Sequence, residues 1–81
     1  MKIRLAKRAR RTLTAAPASV RKAFYKQTSL LAANLLHPSL HAKKFDESTD
    51  TWQARVNRDW RFYFKIYDDV CEVTEIIPHP K

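Results

Sequence analysis

The stretch that decides the fold is Trp52-Gln-Ala-Arg-Val-Asn-Arg-Asp-Trp-Arg-Phe-Tyr-Phe-Lys-Ile-Tyr67. Large apolar and polar residues alternate on both sides of Asn57-Arg58-Asp59, whose asparagine and aspartate are typical turn formers. An alternation with a period of two indicates a strand with one buried face. This stretch therefore predicts two antiparallel strands joined by a tight turn.

The same alternation predicts what the other face of these strands carries. Successive side chains of a strand point to opposite faces of the sheet. If Trp52, Phe62 and Phe64 point into a core, the opposite face is cationic and contains a tyrosine. The residues expected there are Arg55, Arg61, Tyr63 and Lys65. The plainer alternative is an ordinary solvated outer face, on which lysine and arginine are common.

Further elements are predicted on both sides of this hairpin. Downstream, a strand over Val70–Ile77 follows the turn Tyr67-Asp68-Asp69 and stops at Pro78-His79-Pro80. Upstream, residues 39–45 are predicted to form another strand that leads into a polar loop over residues 46–51. Cys71 is expected as a small buried residue of the last strand.

The first half of the chain has helical rather than strand periodicity. A short strand over Lys2–Leu5 is followed by a basic helix that Pro17 interrupts, and a second amphipathic helix is expected to end near Leu36. The prediction is a single α+β domain over residues 1–81. Two N-terminal helices pack on one face of a four-stranded antiparallel sheet, which also has a short N-terminal strand.

Composition excludes several function classes. The 81 residues contain no glycine, so neither of the glycine-dependent nucleotide-binding loops is available. A single cysteine rules out an internal disulfide framework and a cysteine-based zinc site. His37 and His41 straddle Pro38 and do not share a helix face, so no metal or other cofactor is expected.

The chain has no apolar run long enough to span a membrane, and the residues after the basic start are too polar for a signal peptide. We therefore expect a cytoplasmic protein.

Charge is distributed very unevenly along the chain. Sixteen lysines and arginines against eight acids give a net charge of +8. Residues 1–45 contain eleven of the basic residues and no acid, whereas residues 46–81 hold five basic residues against eight acids, a balance of −3. Such an excess in a small domain favours a polyanionic partner such as nucleic acid, the ribosome, a membrane surface or an acidic protein.

The outward cations suit the chemistry of RNA cleavage. Arginine binds phosphate through two parallel hydrogen bonds, and Tyr63 and Tyr67 offer rings on which unpaired bases stack. His79 is held between two prolines at a strand end, and histidine is the side chain whose ordinary pKa lies near neutrality. Attack of a 2′-hydroxyl on the adjacent phosphate needs a base, an acid and a cation, and it needs no metal.

Three stretches together resemble the RelE/ParE superfamily of bacterial type II toxins. They are His37-Pro-Ser-Leu-His-Ala-Lys-Lys-Phe45, the stretch from Trp52 to Asp69, and Ile76-Ile-Pro-His79. The family's order is an H-P-S-L run with basic residues, an aromatic-x-[AS]-[RK] strand, an aromatic-Arg strand, an Asp-Asp hairpin and a last strand ending near a histidine or arginine. The resemblance covers essentially the whole chain and implies a microbial RNase-like fold.

The resemblance also implies an activity and partners. Many members are ribosome-dependent messenger-RNA interferases that a cognate antitoxin, expected here to be acidic, silences. By resemblance, Arg61 contacts the scissile phosphate, Arg55 is a basic residue on the preceding strand, and His79 is the C-terminal catalytic histidine of the YoeB-like branch. The residues expected to bind RNA or the ribosome are Lys43, Lys44, Tyr63, Lys65, Arg8, Arg10 and Arg11.

Two departures keep other functions open. The sequence has no carboxylate where YoeB-like enzymes have a glutamate general base, since Asp46 and Glu47 are out of register. The chain also lacks the C-terminal tyrosine of some members. One alternative is a ParE-like, non-enzymatic inhibitor of DNA gyrase. Another is a non-toxic member that acts only as an antitoxin-bound binding module.

Overall fold

The computed structural model describes residues 1–79 and contains two α-helices and five strands. Pro80, which was expected to help stop the last strand, lies outside this range. In chain order the elements are β1 Lys2–Leu5, α1 Lys7–Ala15, α2 Ala18–Ala33, a 3-10 helix Pro38–Leu40, β2 Lys43–Asp46, β3 Thr51–Arg55, β4 Trp60–Tyr67 and β5 Val70–Pro78. Neither α-helix in this range is long and apolar enough to cross a membrane.

All five strands form one sheet in the order β1-β5-β4-β3-β2. Strands β2 to β5 are antiparallel neighbours, and the short β1 adds a parallel edge next to β5. The helices α1 and α2 supply the buried side chains that cover one face. The predicted α+β class, with two helices on a four-stranded antiparallel sheet and a short N-terminal strand, is confirmed.

The core confirms the inward direction of the aromatic residues. Phe62 and Phe64 of β4 are fully buried, and Phe24 of α2 meets Phe62 edge to face at 5.4 Å between ring centroids. Trp52 and Trp60 are only partly buried but pack against this core. The helices therefore leave the opposite face of the sheet uncovered, as the alternation predicted.

The second helix ends earlier than the predicted Leu36. Its last residue is Ala33, because Asn34 leaves the helix with an extended backbone. The Asn34 side-chain oxygen accepts a hydrogen bond from the Leu36 N–H at 3.0 Å, which is the local bonding by which asparagine competes with helix continuation.

The predicted strand over residues 39–45 was wrong in its first half. Ser39 and Leu40 lie in the 3-10 helix, and the strand begins only at Lys43. The His37 side chain caps this helix, since its Nδ1 accepts a hydrogen bond from the Ser39 N–H at 3.1 Å. Leu40 is fully buried, which anchors the turn to the core.

Among residues 1–79, three take the left-handed backbone conformation that glycine usually adopts. They are His41, Asp50 and Asp68, with φ of 48°, 55° and 51°. Aspartate tolerates this region better than most residues, and Asp68 lies in the predicted β4–β5 turn. His41 ends the 3-10 helix, and its N–H donates to the Pro38 carbonyl at 3.3 Å.

Candidate active site

Arg55 and Arg61 are Cα partners across β3 and β4. Their neighbours Ala54 and Phe62 are buried on the helix side, so both guanidinium groups lie on the open face. Directly opposed like charges destabilise an antiparallel pair. Their placement is therefore unfavourable for the fold alone and favourable for binding an anion.

The Arg61 guanidinium is fixed by the turn before β4. Its Nη1 donates to the backbone carbonyls of Asn57 at 2.7 Å, Trp60 at 3.0 Å and Arg58 at 3.2 Å. Burial, followed by the neighbouring charge of Arg55, lowers the pKa of Arg61 from its ordinary value. Both causes disfavour the charged form of Arg61, and a bound anion would offset both.

Arg55 also has a donor without a partner. Its Nε is buried, and it makes no hydrogen bond to any of residues 1–79. A buried donor without an acceptor costs about 1–3 kcal/mol. Because Arg55 lines an open cleft, an oxygen of a bound anion is a suitable acceptor for this N–H.

A cleft of about 390 Å³ surrounds the two arginines, and we call it the arginine cleft. Within the described range, no aspartate or glutamate lines it. Its chemistry is therefore that of an anion site with two imidazoles. The lining residues are His41, Ala42, Lys43, Gln53, Ala54, Arg55, Arg61 and His79.

His79 reaches the arginine cleft because of an irregularity in β5. Tyr63 pairs with Glu75 but the next residue, Phe64, pairs with Val73, so Thr74 is an extra residue in β5. Strict alternation from the buried Val73 would turn residue 79 toward the core. The bulge instead buries Ile76 and brings His79 to the open face. The His79 N–H also donates to the Asp59 carbonyl at 2.7 Å, which ties the strand end to the turn before β4.

Searches by sequence found neither a matching protein-family model nor a matching curated protein. Solved structures match over nearly the whole chain. The YoeB/ParE toxin from Agrobacterium tumefaciens superposes with a TM-score of 0.82 at 12% identity, over 99% of this chain and 100% of that one. The chain has the RelE/YoeB toxin fold.

Two further structures with this fold are complexes of two proteins. The toxin–antitoxin complex RelBE2 from Mycobacterium tuberculosis gives a TM-score of 0.79 at 20% identity, covering 96% of both chains. The archaeal RelE–RelB complex from Pyrococcus horikoshii gives 0.79 at 17% identity, covering 95% of this chain and 92% of that one. At such identities the likeness establishes the fold, and the chemistry of this chain has to be argued from its own residues.

On this RelE/YoeB fold, the two neighbouring lysines lie on opposite faces of the sheet. Lys43 pairs with Gln53 and lines the arginine cleft. Lys44 pairs with Trp52, its Nζ lies 4.9 Å from the centroid of the Trp52 ring, and it forms an ion pair with Asp50. The hydrogen bond to Asp50 raises the pKa of Lys44. The structure therefore brings Lys43, but not Lys44, together with Arg55 and Arg61.

The remaining predicted binding residues lie outside the arginine cleft. Tyr63 shares its face, accepts a hydrogen bond from Gln53 Nε2 at 3.1 Å and packs against Phe45 with ring centroids 4.9 Å apart. Lys65 lies further along β4, opposite Glu72, and Arg8 of α1 reaches Glu75 at 4.0 Å. The other two basic residues of α1, Arg10 and Arg11, are exposed on that helix.

Three residues of this region were not among the predicted site residues: Gln27, His41 and Gln53. The alternation of β3 was a sufficient signal for Gln53, which precedes Arg55 by two positions. The sequence showed Gln27 as a polar residue within the apolar stripe of the second helix, but it did not show which groups its side chain would bond. His41 gave no signal, because its position depends on the 3-10 helix and its left-handed end.

Gln27 connects three elements behind the arginine cleft. Its side chain is 5% exposed, and its Nε2 donates to the carbonyls of Ser39 at 3.0 Å and Arg55 at 2.8 Å. Its Oε1 accepts from the Ser39 hydroxyl at 3.1 Å. A single buried amide thus links α2 to the 3-10 helix and to the end of β3, which together position His41 and Arg55.

Proposed function

We propose that this protein is the toxin of a bacterial type II toxin–antitoxin system and that it cleaves messenger RNA. The observation that carries the proposal is the arginine cleft, in which Arg55, Arg61 and His79 meet on the uncovered face of the sheet. The RelE/YoeB fold supports the same conclusion, since the structures that share it are toxins.

The reaction that suits the cleft is attack of a ribose 2′-oxygen on the adjacent phosphorus. A base removes the 2′-hydroxyl proton as the new oxygen–phosphorus bond forms. The bond from phosphorus to the 5′-oxygen breaks, and an acid protonates the departing oxygen. The products are a 2′,3′-cyclic phosphate and a free 5′-hydroxyl, so atoms and charge balance without water or metal.

The arginines act on the charge that this step creates. The non-bridging oxygens gain negative charge in the transition state, and preorganised cations stabilise that charge most effectively where water is excluded. Arg61 is fixed by three backbone carbonyls, and Arg55 has a buried N–H that finds no acceptor among residues 1–79. His79 serves as acid or base, a role worth typically 10²–10⁴-fold in rate.

The substrate is message on the ribosome. Lys43 at the cleft and Tyr63 beside it would hold the phosphate backbone and an unstacked base. The exposed basic residues of α1, with Lys65 of β4 and Lys44 of the edge strand β2, would dock on ribosomal RNA. Such a substrate and partner place the protein in the cytoplasm.

An acidic antitoxin is the proposed protein partner. The toxin has a net charge of +8, and the arginine cleft carries three cations without a lining carboxylate in the described range. An acidic segment across this face would neutralise the opposed arginines and stabilise a domain of marginal size.

The test is induced expression followed by primer extension on cellular messages. Wild-type protein is expected to stop growth and to produce new 5′ ends within translated regions. Arg61→Ala should abolish both effects, whereas Lys22→Ala, which removes an equal charge from the exposed side of α2, should retain them. Intact messages in growth-arrested cells would contradict RNA cleavage. Loss of DNA supercoiling by purified gyrase in the presence of the protein would instead favour the gyrase-inhibitor alternative.

A further inference from the structure

We infer that His41 is a second catalytic histidine of the arginine cleft, and that it divides the roles of general base and general acid with His79. The inference rests on the proposed RNA cleavage and adds to it a residue that supplies the missing proton-transfer group. Its starting point is that both imidazoles line the same cleft as Arg55 and Arg61.

The chemistry requires two proton-transfer groups, and the other lining side chains do not provide them. The attacking and departing oxygens lie roughly in line on opposite sides of phosphorus, so one group cannot serve both positions at once. Among the described lining residues, Lys43 and the two arginines are donors without an acceptor lone pair, and Gln53 has an amide. His41 and His79 are the lining residues whose side-chain type exchanges protons near neutrality.

The topology places the two histidines at opposite ends of the arginine cleft. His41 lies immediately before Ala42 and β2, whereas His79 follows β5. The sheet order puts β3 and β4, with Arg55 and Arg61, between those two strands. Adjacent strands are about 4.8 Å apart, so β2 and β5 are separated by roughly 14 Å. A phosphate held by the arginines would therefore have one imidazole on each side.

The backbone of His41 is held in an unusual conformation at this position. Its φ of 48° and ψ of 40° are left-handed, a region that few residues other than glycine adopt but in which histidine, asparagine and aspartate are enriched. The preceding Leu40 is fully buried, and Gln27 holds the Ser39 carbonyl at 3.0 Å. These contacts fix the backbone at His41, and with it the position from which the imidazole lines the arginine cleft.

The test uses a substrate that separates the two roles. The substrate is a ribosome-bound messenger RNA in which sulfur replaces the 5′-oxygen at the bond that wild-type protein cuts. Sulfur departs as a thiolate without being protonated, so this linkage removes the need for an acid but not for a base. The variants are His41→Asn and His79→Asn, because asparagine tolerates the left-handed conformation and does not exchange a proton near neutrality.

Both variants are expected to cleave ordinary message 10²–10⁴-fold more slowly than wild type. On the sulfur-containing message, one variant should recover nearly the wild-type rate and the other should remain slow. The recovered variant identifies the acid. His37→Asn is the matched control, since asparagine can still cap the 3-10 helix, and it should cleave both substrates normally.

Several results would overturn the assignment. If His41→Asn cleaves ordinary message within tenfold of wild type, His41 is not a proton-transfer group. Recovery of both variants, or of neither, would contradict a division of roles. His41→Gly, which relaxes the backbone, must give the same pattern as His41→Asn, so that a folding defect is not mistaken for lost chemistry. If wild-type protein cuts neither substrate, the proposed RNA cleavage itself fails.

Discussion

Arg55 and Arg61 lie directly opposite each other in the β3–β4 ladder, and within residues 1–79 neither forms an ion pair with a carboxylate. The two cations repel each other, and the burial of Arg61 and of the Arg55 Nε, which has no acceptor among residues 1–79, adds a desolvation cost. The same arrangement suits a bound phosphate, because an anion would offset all three penalties. The pair is therefore expected to favour the proposed activity and to lower the stability of the fold.

Replacing Arg55 with glutamine should separate the effect on RNA cleavage from the effect on stability. We expect Arg55→Gln to lose RNA cleavage while its free energy of unfolding stays equal or rises by up to about 1 kcal/mol, because a like-charge cross-strand pair is removed. Thermal unfolding at low and high salt is the measurement, and the gain should shrink as salt screens the repulsion. Arg58→Gln, in the exposed turn, is the charge-matched control and should change neither property. A clear fall in the stability of Arg55→Gln would contradict the repulsion argument.

Gln27 should stabilise the domain and the cleft together. Gln27→Leu keeps the volume but removes three hydrogen bonds, leaving two carbonyls and one hydroxyl without these partners. We expect a decrease of about 2–4 kcal/mol in the free energy of unfolding, since unsatisfied buried groups cost about 1–3 kcal/mol each. Urea denaturation measures it. Ser29→Ala removes an exposed hydrogen bond within the same helix and should change stability by less than about 0.5 kcal/mol. An equal effect of both variants would refute a special role for Gln27.

Lys43 and Lys44 form a matched pair for RNA binding. Because Lys43 lines the arginine cleft and Lys44 pairs with Asp50 beside Trp52, Lys43→Gln should weaken RNA binding more than Lys44→Gln. Loss of one phosphate contact should also reduce the slope of log affinity against log salt by about 1 for Lys43→Gln. Fluorescence anisotropy with a short single-stranded RNA measures both quantities. Equal losses in the two variants would mean that RNA contacts both faces of this edge.

The buried Cys71 thiol should make the protein sensitive to alkaline pH. Burial raises the pKa of Cys71 from the ordinary 9.0 to about 12 in the folded state. The unfolded thiol therefore ionises first as pH rises, so its contribution to stability is complete below about pH 9 and is lost as pH approaches 12. The loss should approach about 1.4 kcal/mol per pH unit. Urea denaturation from pH 8 to 11 should show a shallower decline for Cys71→Ala. Identical pH dependence in the two proteins would contradict a protonated buried thiol.

The alternation of residues 52–67 was sufficient to predict the hairpin, its buried aromatic face and the side on which Arg55 and Arg61 lie. In a regular strand, successive side chains point alternately to the core and to solvent. The alternation of apolar and polar residues therefore determines the face on which each side chain lies. The second helix ended at Ala33, three residues before the expected end at Leu36, since the Asn34 side chain bonds the backbone. Propensity arguments located that boundary only approximately.

The remainder of the site depends on irregular backbone that alternation does not encode. His79 faces the arginine cleft because Thr74 is inserted in β5, and His41 does so because the 3-10 helix ends in a left-handed residue. Each feature requires tertiary partners distant in sequence, such as Tyr63 opposite the bulge and Gln27 behind Ser39. Alternation alone therefore predicted the side on which the two arginines lie, but not the positions of the two histidines.

The sequence contains no glycine, so histidine and aspartate occupy the left-handed positions found in the described range. Glycine widens the range of conformations that a denatured chain can explore, and replacing one by another residue at a compatible position stabilises a protein by about 0.4–1 kcal/mol. At an average usage of about 7%, a chain of this length would have roughly six. Their absence lowers the conformational entropy of the denatured chain. The free energy of unfolding is thereby raised by on the order of a few kcal/mol, which matters in a domain with so small a hydrophobic core.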